Sequence, residues 1–191
     1  MTLEDAGRPT PRAVILDRDG VINHDSDAYI KSLQEWRAIP GSIDAIARLS
    51  RAGWIVAVCT NQSGIARGLL QPTDLAAMHD RLLELVRGAG GDINGIFVCP
   101  HGPEHGCDCR KPRPGLLLKA SQALGFPLAG TPVIGDSARD LEAARRVSAR
   151  PILVRTGKGQ RTLSHMREPP EELHADLAAA VSALLEESER N

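Results

Sequence analysis

Two carboxylates, two residues apart, stand where an apolar run ends. Asp17-Arg18-Asp19-Gly20-Val21 follows directly on Ala13-Val14-Ile15-Leu16. Such a pair can hold a hard divalent cation. One carboxylate can also attack an electrophile while the other serves as acid and base. Gly20 lets the chain turn sharply and bring backbone N–H groups near an anion. The competing reading of the same residues is a solvated acidic turn. Three further groups suit the same chemistry. Thr60-Asn61-Gln62-Ser63-Gly64 follows the apolar run Trp54–Cys59 and offers a hydroxyl and turn amides to a phosphoryl oxygen. Arg110-Lys111-Pro112 supplies cations, and Lys111 can neutralise charge between a nucleophile and a phosphate. Gly135-Asp136-Ser137 follows Pro132-Val133-Ile134, and Asp136 completes a cation's shell. Asp140, one helical turn on, reads as an orienting or capping residue rather than a ligand.

A second constellation is local. Cys99-Pro100-His101 and Cys107-Asp108-Cys109 are separated by Gly102-Pro103-Glu104-His105-Gly106. Three thiolates and an imidazole in one loop match a tetrahedral Cys₃His zinc site, and four protein ligands leave no open position for water. The site is therefore expected to be structural. His105 rivals His101 as the fourth ligand, with the C-x-H spacing favouring His101. The competing readings are reduced thiols or redox chemistry at Cys107 and Cys109. Cys59 lies inside an apolar run and reads as a core residue. His24, His79, His165 and His174 show no partner pattern and read as surface or structural.

The elements that must position these groups alternate. Apolar runs at 13–16, 54–59, 96–99, 132–134 and 151–154 read as strands buried on both faces. Helical spacing falls at 42–52, 73–87, 116–124, 138–147 and 171–187, with residues 1–12 a tail and about 157–171 a loop. Alternating strand and helix predicts an α/β chain, a Rossmann-like parallel sheet with helices on both faces. Asp17, Thr60 and Asp136 each end a strand, the edge at which open α/β sheets bind ligands. The 191 residues are expected to form a single domain, with 99–109 as the zinc-binding loop.

Composition narrows the partners. The net charge is −1, which argues against a nucleic-acid partner. No apolar run is long enough to span a bilayer, and the N-terminus lacks the order of a secretory signal. The cytoplasm is the expected compartment, so the four cysteines call for something other than disulfides. With no extended apolar patch beyond the C-terminal helix, a monomer is expected.

Taken together, the order D-x-D-G-V, strand-Thr, Lys, then Gly-Asp-x-x-x-Asp resembles the haloacid dehalogenase superfamily of phosphotransferases, over about residues 13–156. The resemblance implies a magnesium-dependent phosphatase with Asp17 as nucleophile and Asp19 as general acid/base. It places magnesium on Asp17, Asp19 (through its backbone carbonyl) and Asp136. It gives Thr60, Arg110 and Lys111 the phosphoryl group. The short spacings between motifs leave no room for a large cap domain. A non-catalytic, zinc-stabilised binding module is the rival of another class, and the intact Asp17, Asp19, Thr60, Lys111 and Asp136 argue against it.

The expected substrate is a small phosphorylated sugar. Arg67, in T-N-Q-S-G-I-A-R-G, joins Arg110, Lys111 and Arg113 to suit a substrate with two phosphates rather than a zwitterionic amino-alcohol phosphate. Asp25, Tyr29, Asn61, Gln62, Ser63 and Ser137 complete the expected substrate contacts. Two departures from the family pattern stand out. Ser137 occupies a position where members often carry Lys, and the segment 24–29 is one residue longer than in some relatives.

Overall fold

The computed structural model describes residues 11–190. The elements run β1 (Ala13–Leu16), α1 (Ser42–Arg51), β2 (Ile55–Asn61), α2 (Pro72–Gly88), β3 (Gly95–Cys99), α3 (Gly115–Leu124), β4 (Pro132–Gly135), α4 (Ala138–Arg145), β5 (Arg150–Val154), α5 (Gly159–His165), β6 (Leu173–His174) and α6 (Leu177–Arg190). All strand pairs are parallel, in the order β3-β2-β1-β4-β5-β6.

The pleat explains why the strands are apolar throughout. Successive side chains point to opposite faces. Val14 and Leu16 therefore join one buried cluster, while Ala13 and Ile15 join another. The first cluster takes Ile46 and Leu49 of α1, Leu75, Met78, Leu82 and Val86 of α2, and Leu177, Val181 and Leu184 of α6. The second takes Leu116, Leu117 and Ala120 of α3 and Ala143 and Ala144 of α4. Cys59 lies in this second cluster, 1% exposed, as a core residue should.

The chain order reverses between β1 and β4, which puts a topological switch point between them. The ends of β1, β2 and β4 thus open onto one edge. Three expectations need correction. The stretch 157–171 is not all loop, because α5 occupies Gly159–His165. Helix α6 begins at Leu177 rather than 171, and Leu173–His174 before it pairs with Leu153 and Val154 as β6. Thr60 and Asn61 belong to β2 itself rather than to the turn after it. Of the expected tail, residues 1–10 lie outside the described residues.

Candidate active site

Asp17 leaves the end of β1 and its N–H donates to the Ile134 carbonyl of β4 at 2.9 Å. That bond fixes the nucleophile candidate beside the neighbouring strand. The next turn closes tightly, with the Arg18 carbonyl accepting the N–H groups of Ile22 at 2.8 Å and Asn23 at 3.1 Å. Gly20 adopts φ +84°, and a Cβ there would collide with the Asp136 carboxylate. Gly157, φ +56°, packs against Gly20 and the same carboxylate oxygen. Two glycines in left-handed backbone thus let three loops converge on Asp136.

Asp17, Asp136 and Asp140 bring carboxylate oxygens within 4.8 Å of one another. Burial pushes Asp17 up to about 6, with Asp140 and Asp19 adding to the shift and Lys111 opposing it. Burial, then Asp17 and Asp140, push Asp136 up to about 8, against an N–H donated by Lys158 at 2.7 Å. Like charges crowded in a dry site resist ionisation, and a divalent cation relieves that cost. The oxygen-only donor set and its crowding fit magnesium at Asp17 and Asp136.

Asp140 plays the orienting part. It forms a capping box at the start of α4, accepting the Ser137 N–H at 3.1 Å and hydroxyl at 2.5 Å. Its other oxygen pairs with Lys111 Nζ at 2.5 Å. Lys111, 3% exposed, also pairs with Asp17 at 3.0 Å and donates to the Cys59 carbonyl at 2.7 Å. Burial disfavours its charge, but Asp140 and Asp17 outweigh that and raise its pKa. Lys111 is therefore a fixed cation beside Asp17, the nucleophile candidate.

The β2 residues divide their work. Thr60 is buried and its Oγ1 accepts from Gln62 at 2.9 Å, which leaves its hydroxyl hydrogen for an anion in the pocket. Gln62 also donates to Asp19 Oδ2 at 2.7 Å. The Asn61 amide clamps the Lys111 backbone, accepting its N–H at 3.1 Å and donating to its carbonyl at 3.0 Å. Its side chain thus orients Lys111 from the wall of the cavity that it also lines. Burial pushes Asp19 up, but Arg18 and hydrogen bonds from Asn23, Arg18 and Gln62 outweigh it and hold Asp19 below the ordinary carboxylate range.

One cavity of about 280 Å³ brings together the expected phosphoryl and substrate contacts other than Arg113, including Asp25, Tyr29, Asn61, Ser63, Arg67 and Ser137. It also recruits residues that spacing did not single out, Arg139 and Lys158. Lys158 ion-pairs with Asp25, so that carboxylate faces the pocket already neutralised. The Ser137 hydroxyl is committed to Asp140, so Arg139, two residues on, is the cation that α4 offers the mouth. Burial and the adjacent Arg139 both depress the Arg110 pKa, as expected of cations gathered to receive an anion. Arg113 is a correction. It donates to the Gly106 and Cys107 carbonyls, stapling the loop instead of facing the pocket.

In the zinc loop, Cys99, His101, Cys107 and Cys109 converge. Sulfur–sulfur separations are 3.2, 3.4 and 3.7 Å, and His101 Nδ1 lies 3.4 Å from Cys109 and 3.8 Å from Cys99. A tetrahedron with Zn–S near 2.3 Å has edges of about 3.8 Å, so the donor set fits zinc with a slight expansion. His105 stays outside the cluster and pairs with Glu104. Cys109 runs directly into Arg110, whose guanidinium donates to the His101 carbonyl at 3.0 Å. The loop thereby fixes the backbone that aims Arg110 and Lys111.

Comparison with known proteins agrees with this geometry. Residues 108–180 match the HAD-hydrolase-like family model. The chain is 58% identical over 173 residues to the D-glycero-beta-D-manno-heptose-1,7-bisphosphate 7-phosphatase of Pseudomonas aeruginosa, covering 91% of this chain and 97% of that one. It is 48% identical to the Bordetella bronchiseptica protein of the same name, covering 93% and 99%. The crystal structure of the B. bronchiseptica D,D-heptose 1,7-bisphosphate phosphatase complexed with magnesium and phosphate superposes with TM-score 0.89 at 49% identity, covering 92% and 99%. That of the Burkholderia thailandensis enzyme gives 0.70 at 40% identity, covering 91% and 98%. The chain belongs to the D-glycero-beta-D-manno-heptose-1,7-bisphosphate 7-phosphatase family of haloacid dehalogenase-like hydrolases.

Proposed function

We propose that this chain removes the 7-phosphate from D-glycero-β-D-manno-heptose 1,7-bisphosphate and leaves the anomeric phosphate in place. The observation that carries the reading is the division of the cavity. Its buried lining carries Lys111, Asp136 and Asp140, and its exposed and half-exposed lining, the mouth, carries Arg67, Arg110 and Arg139. Among the described residues, none of these three guanidiniums has a carboxylate within ion-pair distance. A reacting phosphate at the centre and a retained phosphate at the mouth satisfy both.

In the first step an Asp17 oxygen attacks phosphorus, an Asp17–phosphorus bond forms, and the bond to the sugar C7 oxygen breaks. Asp19, reprotonated as the anionic substrate enters beside it, gives that proton to that oxygen. In the second step water attacks phosphorus, the Asp17–phosphorus bond breaks, and Asp19 takes the water's proton. Lys111 and Thr60 hold the phosphoryl oxygens through both. Magnesium, held by Asp17, Asp136 and the Asp19 carbonyl, supplies the positive charge that lets an anionic carboxylate approach an anionic phosphate. Zinc on Cys99, His101, Cys107 and Cys109 does no chemistry and holds the loop.

The retained anomeric phosphate suits later coupling to a nucleotide, placing the chain in the making of nucleotide-activated heptose for lipopolysaccharide core or surface glycans. No described helix is long and apolar enough to cross a membrane, in keeping with work in the cytoplasm on a diffusible substrate. The exposed large apolar side chains Leu33, Leu69 and Leu118 are few, in keeping with a monomer.

The test is phosphate release with magnesium from the two anomers of the heptose bisphosphate, from heptose 7-phosphate and from histidinol phosphate. The β-bisphosphate should lead by roughly 100-fold in kcat/KM, a differential of about 2.7 kcal/mol. Preference for histidinol phosphate would overturn the substrate reading and leave the roles of Asp17, Asp19 and the metals intact.

A further inference from the structure

We infer that Arg18, the residue between the two aspartates, is a positioning residue that fixes the carboxylate of Asp19 through a chain ending at His79. Arg18 is 1% exposed and does not line the cavity. A buried guanidinium is costly unless its donors are met. Here they are met chiefly by one partner. Nε donates to Asp19 Oδ1 at 3.1 Å, and Nη2 donates to Oδ1 at 2.8 Å and to Oδ2 at 2.9 Å. Nη1 faces His79 Nε2 at 3.4 Å.

His79 sits on α2 beside the first core cluster, between Met78 and Leu82 of its apolar stripe. Burial and the adjacent Arg18 push its pKa down to about 4, against Asp19, so at neutral pH it is an uncharged acceptor. The ring thus holds the outer edge of the guanidinium, and the guanidinium holds Asp19. Asn23 Nδ2 to Oδ1 at 2.8 Å and Gln62 Nε2 to Oδ2 at 2.7 Å complete the grip. Asp19 meets the pocket from one side while Arg18 anchors it from the buried side. A planar fork matched to a carboxylate fixes its plane as well as its position, which a lysine cannot do.

This inference rests on the proposed two-step route through Asp17, and it predicts how the two steps separate. An aryl phosphate has a leaving group that departs without a proton, so its first step bypasses Asp19. Hydrolysis of the Asp17 adduct still needs Asp19 to take the proton from water. With p-nitrophenyl phosphate and magnesium, rapid mixing of Arg18→Met should show a burst of one phenolate per enzyme at near the wild-type rate. Steady turnover should then run at least about tenfold slower. The sugar bisphosphate, whose alkoxide needs the proton, should show slowed turnover and no burst.

His79→Leu should give the same pattern more weakly, and His79→Gln, which keeps an acceptor, should fall less than His79→Leu. Should Arg18→Met fail to fold, Arg18→Lys carries the test, with the same burst and a smaller loss. A merely structural role would lower burst and turnover together. That result, or turnover within twofold of wild type on both substrates, would overturn the inference. A normal burst in Asp17→Asn would instead sink the aspartyl-phosphate route itself.

Discussion

The carboxylate centre and the zinc loop are held together by opposite means. Asp17, Thr60 and Asp136 lie far apart in sequence and meet because β1, β2 and β4 end on one edge of a sheet buried on both faces. Cys99, His101, Cys107 and Cys109 lie within one short stretch whose intervening residues, Gly102 to Gly106, bury nothing large. The hydrophobic core places the first site, and the donor atoms themselves must place the second. One consequence is a difference in dependence. The carboxylate centre should survive as a fold when its chemistry is deleted. The zinc loop should lose its shape, and with it the aim of Arg110 and Lys111, when a ligand is deleted.

The sharpest break between the two is Asp17→Asn. Phosphate release should fall at least about a thousandfold. Zinc content, measured by atomic absorption, and thermal midpoint should stay close to wild type. Cys109→Ser should invert that pattern. Zinc should be lost, the thermal midpoint should drop, and activity should fall because Lys111 is no longer held. Circular dichroism melts beside metal analysis distinguish the cases. Full magnesium-dependent activity in zinc-free Cys109→Ser would erase the link between loop and centre.

A smaller effect probes the mouth. Arg139→Ala should lower kcat/KM for the bisphosphate by about 10- to 100-fold, as loss of one charge-assisted contact worth about 1.5–3 kcal/mol implies. Heptose 7-phosphate, with nothing to place there, should be affected little. Equal losses on both substrates would move Arg139 from the second phosphate to general stability.

The smallest effect is the pH response of magnesium-free protein. Asp136 and Asp17 are raised to about 8 and about 6, against 3.8 in an unfolded chain. Between those limits the folded state binds more protons than the unfolded state, so stability falls as pH rises towards 8. Magnesium needs the ionised forms, so it should bind more weakly as pH falls through that window, and its stabilising effect should be greatest at the alkaline end. Chemical denaturation at several pH values, with chelator and with magnesium, checks the sign. Stability rising with pH in chelator would contradict the crowded-carboxylate account.

Much of this was legible before folding. Strand-buried runs announce a parallel sheet, and a polar residue at the end of each run announces the edge that binds. The zinc ligands were legible because they are neighbours. What was not legible depends on tertiary placement. Helix α5 has one leucine, so no apolar period marks it. Gly159 instead packs against the Val154 carbonyl, and Thr162 donates to the Asp136 carbonyl at 2.9 Å. Strand β6 is two residues long and is flanked by Glu172, which pairs with Arg150 and His174. Arg113 was of the right type for substrate, but the Gly106 and Cys107 carbonyls claim it. Lys158 and Arg139 reach the cavity only because β5 and α4 lie beside the switch point.

The central claim is that the sheet-built site forms a covalent phosphate on Asp17. Mixing enzyme, magnesium and substrate, quenching in acid within a single turnover, and mapping the protein by mass spectrometry tests it directly. The account predicts one phosphoryl group on the peptide bearing Asp17, decaying as free phosphate appears and absent from Asp17→Asn. Phosphate released at the full rate with no adduct at any time, or an adduct on a residue of the zinc loop, would contradict it.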